Sequence, residues 1–203
     1  MKRFFQTIAN IFKIEELRKR ILYTLGLIVI YRLGSYIVLP GIDATQLANL
    51  QSQASEGLLG LLNMFSGGAF GNASIFALGV MPYISASIVI QLLAVMLPFF
   101  QRLQREGESG RRKMNQYTRY LTILILLIQG PAYIANLTNQ LPPEAFVATI
   151  GKGWYGIFVT MVLIGGTMFV MWLGERITDR GIGNGISLII MVGIVARLPM
   201  ALW

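Results

Sequence analysis

The stretch SIFALGVMPYISASIVIQLLAVMLPF, residues 74–99, decides the fold. It contains no Asp, Glu, Lys or Arg, and it exceeds the roughly 20 residues that a helix needs to cross a bilayer. Pro82 lies within it and Pro98 marks its end, because a proline cannot continue a helix already under way. Windows of similar length and polarity recur at about 21–39, 120–137, 154–173 and 186–203. The expectation is an all-α membrane protein of about five transmembrane helices.

Composition agrees. Of 203 residues, 55% are hydrophobic and only 13% charged, so nothing resembling a separate soluble domain is left over. The net charge of +8 does not point to nucleic acid, because the basic residues gather in short stretches beside the apolar runs, where topology and anionic lipid account for them. The chain has no cysteine and no histidine. That removes disulfides, thiolate nucleophiles and imidazole acid–base chemistry, so neither an enzyme, a metal nor a cofactor is expected.

Upstream of the first apolar run, Phe4, Phe5, Ile8, Ile11, Phe12 and Ile14 fall mostly at helical spacing, with Lys13, Arg18, Lys19 and Arg20 available to lipid phosphates. An amphipathic N-terminal helix on the membrane surface is expected. It is not a cleavable signal, since no small-residue cleavage site follows. The first span stops at Pro40-Gly41, and Arg32 towards its far end is expected to snorkel. After a polar stretch comes GLLGLLNMF, residues 57–65, apolar but far too short to span, so it is expected to be re-entrant or packed inside the protein.

Positive charge gives the orientation. Lys2 to Arg20 precede the first span, Arg102, Arg105, Arg111, Arg112, Lys113 and Arg119 separate the second from the third, and Arg176 and Arg180 separate the fourth from the fifth. All fall on one side, so the N-terminus is expected in the cytoplasm. The last window ends on an apolar run, and with an odd number of spans this suggests a fragment or a half of a larger protein.

No Asp or Glu lies inside any of the apolar runs. Ion-coupled carriers place ionisable groups at mid-membrane depth, so a small-solute transporter is disfavoured, as is a membrane-embedded enzyme. Val80, Ile84 and Ile88 share one helical face, as do Ile182, Ile186, Ile190 and Ile194. Such stripes face either lipid and neighbouring helices or a pore that closes by dewetting. Ser85, Ser87 and Gln91 bring polar groups into the second span, for packing or for a water-filled route. Residues 57–65 fit a hinged stopper or an ordinary interfacial helix. The basic loop 104–120 lacks the features of a P-loop, and RGIGNGIS at 180–187 lacks the preceding strand of a dinucleotide site. A cytosolic docking loop and a flexible helix entry are the better readings.

Several strings carry a resemblance: LPGID at 39–43, NMFSGGA at 63–69, SIFALGVMPYISASIVIQLL at 74–93, EGESGRRK at 106–113, QYTRY at 116–120 and GTMFVMWLGERITDRGIGNGISLII at 166–190. Together and in order they resemble the N-terminal half of the SecY family, central subunits of protein-conducting channels. The resemblance implies half of a ten-helix inverted-repeat channel, with an hourglass pore and a lateral gate to lipid. It implies a plug at 57–65, with Leu58, Leu59, Leu61, Leu62, Asn63, Met64 and Phe65. Val80, Ile84, Ile186 and Ile190 align with pore-ring positions, with Ile88 and Ile182 beside them, and the family often has isoleucine at Val80. The second and third spans resemble one side of the lateral gate, with Ser85, Ser87 and Gln91 on it, while Arg105, Arg111, Arg112 and Lys113 suit cytoplasmic docking. The implied partners are SecE, SecG, SecA, the ribosome, signal sequences, translocating polypeptides and anionic lipids. The implied location is the bacterial plasma membrane, with a plastid membrane as the lesser alternative. The sixth to tenth spans are missing, so the chain is not expected to conduct protein alone.

Overall fold

The computed structural model describes residues 14–47, 57–141, 146 and 152–196. Most of the expected N-terminal surface helix lies outside these residues, as do Arg197 and the end of the expected fifth span; the side chains of Leu58, Leu59 and Lys152 also lie outside. Seven α-helices are described: α1 (Glu15–Gly34), α2 (Gly57–Phe65), α3 (Met81–Met96), α4 (Pro98–Arg105), α5 (Glu108–Gln140), α6 (Lys152–Arg180) and α7 (Gly185–Val195). A 3-10 turn, Ala44–Leu47, lies between α1 and α2. Among the described residues there is no strand, only the isolated antiparallel bridges Val38–Ser74 and Ile42–Phe146.

Local sequence explains the helix ends. In the first turn of α1, Glu15 and Glu16 meet the positive end of the helix dipole and pair with Lys19 at 2.8 Å and Arg20 at 3.0 Å. Pro82 and Pro98 sit in the first turns of α3 and α4, where a missing N–H costs nothing. Asn184 caps α7 by accepting from the amides of Ile186 at 3.1 Å and Ser187 at 3.3 Å. The Asp43 carboxylate precedes the 3-10 turn and accepts from the Thr45 amide at 2.9 Å and hydroxyl at 2.8 Å, which holds its pKa below the ordinary carboxylate value.

The helices pack in sequence: α3 on α5, α5 on α6, and α6 on both α1 and α7, with α2 resting on α7. Two cores result. One gathers Leu39, Phe70, Tyr133, Leu137, Tyr155, Val159 and Leu163 around the start of α6. The other gathers Leu27, Tyr31, Phe76, Val80, Val170, Leu173, Ile177 and Ile189 around its C-terminal half. The loop joining α2 to α3 contributes to both.

Among the described residues two helices, α5 and α6, are long and apolar enough to cross a membrane, and α3 with α4 makes a third if the pair, bent by 99°, counts as one span. The helix at the expected second span, 74–99, starts later than the sequence suggests. It begins at Met81, and residues 74–80 form turns, with the Ser74 hydroxyl accepting from the Phe76 amide at 3.2 Å. Ala73 and Gly79 take positive φ, at 44° and 53°, which no helix accommodates. Likewise α1 ends at Gly34, short of Leu39, and turns through Ser35 into the bridge at Val38.

Candidate functional site

The loop from Ser66 to Val80 is irregular backbone in the middle of a membrane protein. In hydrocarbon every backbone polar group must find a partner, so such a loop is tolerated only where protein surrounds it. The sequence supplies the partners. Asn63, fully buried, accepts from the Gly71 amide through Oδ1 at 2.9 Å and from the Gly68 amide through its own carbonyl at 2.8 Å. The Ser66 hydroxyl accepts from the Phe70 amide at 3.1 Å, and the Tyr133 hydroxyl donates to the Phe70 carbonyl at 2.9 Å. Farther along, the Leu39 amide donates to the Ala73 carbonyl at 2.8 Å and the Ile75 amide to Ile37 at 3.0 Å.

Two residues of α1 reach the same loop. The Tyr31 hydroxyl donates to the Ser66 carbonyl at 3.2 Å, and Arg32 Nη1 donates to the Gly67 carbonyl at 2.9 Å. Arg32 also donates to the Tyr36 hydroxyl at 3.2 Å and lies over the Tyr36 ring at 5.5 Å. Snorkelling, the sequence expectation for Arg32, is therefore replaced by an inward contact. Gly67, at φ 65°, lies so near Gly193 of α7 that a Cβ on it would come within 2.9 Å of the Gly193 Cα. Only glycine meets both requirements.

Around this loop the structure gathers part of the predicted apolar set. Val80 is 2% exposed and belongs to the second core, and Ile84, Ile186 and Ile190 pack against that core, half-buried. All four predicted residues thus lie in or against one core, Val80 from the turn just before α3. Ile88, 51% exposed, and Ile182, 40% exposed, stand outside it. On α2, Leu62 packs against the first core and Asn63 points inward, while Leu61, Met64 and Phe65 are exposed. Ser85 is exposed and bonds back to the Met81 carbonyl at 3.1 Å, and exposed Gln91 donates to Ser87 at 3.3 Å, so these polar groups face away from the junction core.

The predicted docking residues form a separate group. Arg105, Arg111, Arg112 and Lys113 are all exposed on α4 and the first turns of α5, with Arg112 paired to Glu108 at 3.4 Å and Lys113 to Glu106 at 3.5 Å. A Cβ on Gly110 would overlap the Leu103 carbonyl, so glycine there lets α4 fold back onto α5. Sequence reasoning did not find the contact between Arg119 and Glu175, bidentate at 3.3 and 2.5 Å, which ties α5 to α6. No spacing rule joins residues so far apart. Among the described residues there is no group of His, Cys, Asp or Glu able to hold a metal ion.

The sequence profile of the SecY family matches residues 74–203. The chain is 52% identical over 187 residues to the protein translocase subunit SecY of Buchnera aphidicola subsp. Acyrthosiphon kondoi, covering 92% of this chain and 52% of that protein. It is 52% identical over 188 residues to SecY of Escherichia coli strain K12, covering 92% and 42%, and 46% identical over 202 residues to SecY of Streptomyces scabiei, covering 96% and 46%. The chain therefore spans about half the length of the curated relatives it matches. Among solved structures, a protein-conducting channel superposes with a TM-score of 0.58 at 18% identity, covering 89% of this chain and 36% of that one. Sec61 of the canine ribosome-channel complex from the endoplasmic reticulum gives 0.56 at 17% identity, with the same coverage. These two likenesses show the fold: an all-helical part of a channel architecture. With the family profile covering most of the chain and translocase subunits matching nearly all of it, the protein belongs to the SecY family and corresponds to the N-terminal half of its members.

Proposed function

We propose that this chain supplies one half of the pore-forming subunit of a protein-conducting channel, which moves secretory proteins across a membrane and releases membrane segments sideways into it. The observation that carries the reading is that Val80, Ile84, Ile186 and Ile190 all lie in or against one apolar core, beside a short helix on which Leu61, Met64 and Phe65 are exposed among the described residues. Branched aliphatic side chains converging from two helices close an aqueous path by dewetting and yield to a passing chain. In this reading α2 is the plug, with Leu58 to Phe65 as its body, and Ile88 and Ile182 flank the ring. The face of α3 with Ser85, Ser87 and Gln91, together with α5, is one wall of the lateral gate.

The complete channel requires a second half, and the partners proposed on the family pattern are SecE, SecG, SecA and the ribosome. The exposed basic group Arg105, Arg111, Arg112 and Lys113 would meet them on the cytoplasmic side of a bacterial plasma membrane, where anionic headgroups add attraction. The driving energy comes from those partners, since the chain's own spans carry no coupling carboxylate.

The absence of cysteine makes the test clean. Ile84→Cys is introduced, the chain is co-expressed with the second half of a SecY relative, and crosslinking to a stalled secretory chain bearing one cysteine is measured. A crosslink that depends on both the second half and an intact signal sequence is expected. An assembled complex that exports protein yet gives no crosslink would sink the ring assignment.

A further inference from the structure

We infer that Arg119 and Glu175 are positioning residues that latch the first half of α5 to α6, and that when the latch opens this half, carrying α3 and α4, swings about Gly130–Pro131. The inference rests on the proposed role of α3 and α5 as one wall of the lateral gate and adds what holds that wall in place.

The wall is held lightly except at its pivots. Among the described residues, neither core includes any residue from 85 to 130. On α5, Tyr133, Ile134 and Leu137 belong to the first core, and all three follow Pro131. At the other end of the wall only the start of α3 is engaged, with Val80 in the second core and Ile84 against it. Beyond these points α3 and α4 pack on α5, and α5 in turn on α6. The buried hydroxyls of Thr118 and Thr122 tie nothing across, because they donate to the Met114 and Thr118 carbonyls of their own helix, at 2.9 and 2.7 Å. Helices in lipid gain little from apolar contact alone, since lipid tails replace it. A polar tie therefore weighs heavily.

Arg119 supplies that tie. Its guanidinium donates to both carboxylate oxygens of Glu175, and among the described residues no other hydrogen bond or ion pair joins residues 81–127 to α6. The contact lies about 16 Å along α5 from Gly130, so a small rotation there opens it. The pivot is built into the same helix. A Cβ on Gly130 would come within 2.8 Å of Thr160 Cγ2, which fixes the crossing with α6. Pro131, the next residue, has no N–H for the Leu127 carbonyl, so α5 bends there at less cost than elsewhere. No bend is needed in α3, which starts from turns in which Gly79 takes φ 53°. Arg119 and Glu175 both stay partly exposed, and a pair of that kind is weak enough to open yet strong enough to bias a balance.

The test uses the chain with a cysteine-free complementary half in membranes and measures distances between paired spin labels. Leu124→Cys with Asp179→Cys reports on the latched halves, and Thr138→Cys with Ile157→Cys reports on the crossing beyond Pro131; all four positions are exposed. Arg119→Gln is expected to raise the population at longer distance between 124 and 179 about threefold, the effect of losing one partly exposed ion pair, and to leave 138 and 157 unchanged. Arg119→Glu should raise it further, since like charges then face each other, and adding Glu175→Arg should restore the starting distribution. Pro131→Ala, which returns an N–H to the Leu127 carbonyl, should reduce the opening caused by Arg119→Glu. If the charge reversal does not accumulate, the Arg119→Gln result decides. Distances between 124 and 179 that do not lengthen, equal broadening at both label pairs, or an exchanged pair as open as the single reversal would overturn the latch. Opening indifferent to Pro131→Ala would overturn the pivot. The labels read α5 against α6 whether or not a polypeptide crosses, so failure here is separate from failure of the Ile84 crosslink.

Discussion

Gly166→Ala is expected to remove most of the folded protein, while Gly165→Ala one position earlier should stabilise it slightly. The two glycines are neighbours on α6 and differ only in what faces them. A Cβ on Gly166 would lie 2.1 Å from the Ile75 carbonyl oxygen and 3.0 Å from its carbon, whereas a Cβ on Gly165 meets nothing within 4 Å. Ile75 cannot retreat easily, because its amide is bonded to Ile37 across the adjoining bridge, and Phe76 is sandwiched between Tyr31 and Phe169. Relief must come from moving α6, which holds α1, α5 and α7 together. Forcing a methyl into packed backbone costs about 3 kcal/mol or more, a large share of the stability of most folded domains. The Gly165 change removes backbone freedom from the unfolded chain and should gain about 0.5–1 kcal/mol. Thermal unfolding in detergent checks both, and equal behaviour of the two variants would contradict the contact at Ile75.

Asn63→Leu should be the next most damaging change. The amide oxygen of Asn63 accepts from Gly71, and its nitrogen would sit 2.9 Å from a Cβ on that glycine, so side chain and loop are fitted together. Leucine leaves the Gly71 amide without this acceptor in a site shielded from water, a loss of about 1–3 kcal/mol, and its branched end must press on the loop besides. A total of about 3 kcal/mol is expected. Hydropathy alone would rate the change favourable, since leucine suits an apolar setting better than asparagine. The sign of the shift in unfolding temperature therefore decides between a side chain that braces buried backbone and one merely tolerated there.

Helix existence was legible from the apolar runs, and the odd status of residues 57–65 from their length alone. The late start of α3 was less so. Residues 74–80 are as apolar as the helix they precede, and hydropathy records depth in the membrane, not which backbone groups bond to which. Pro82, a residue at home in a first turn, was the available clue. Stripe spacing placed Val80 and Ile84 on one face and Ile186 and Ile190 on another, and the structure puts all four in or against the second core. It could not separate Ile88 and Ile182 from them, because periodicity says which residues share a face but not where a neighbouring helix ends. Arg32 shows the other limit: its partners, Gly67 and Tyr36, include a carbonyl far along the chain that no local pattern reveals.

The right-angle turn between α3 and α4 has a consequence for the surrounding lipid. The 16 residues of α3 extend about 24 Å from a loop that already lies at membrane depth. Pro98 and the basic residues of α4 stop the apolar helix there and turn the chain sideways. A basic amphipathic helix laid across the end of an apolar one suits the headgroup layer, where Arg102 and Arg105 meet lipid phosphates while Leu103 stays buried.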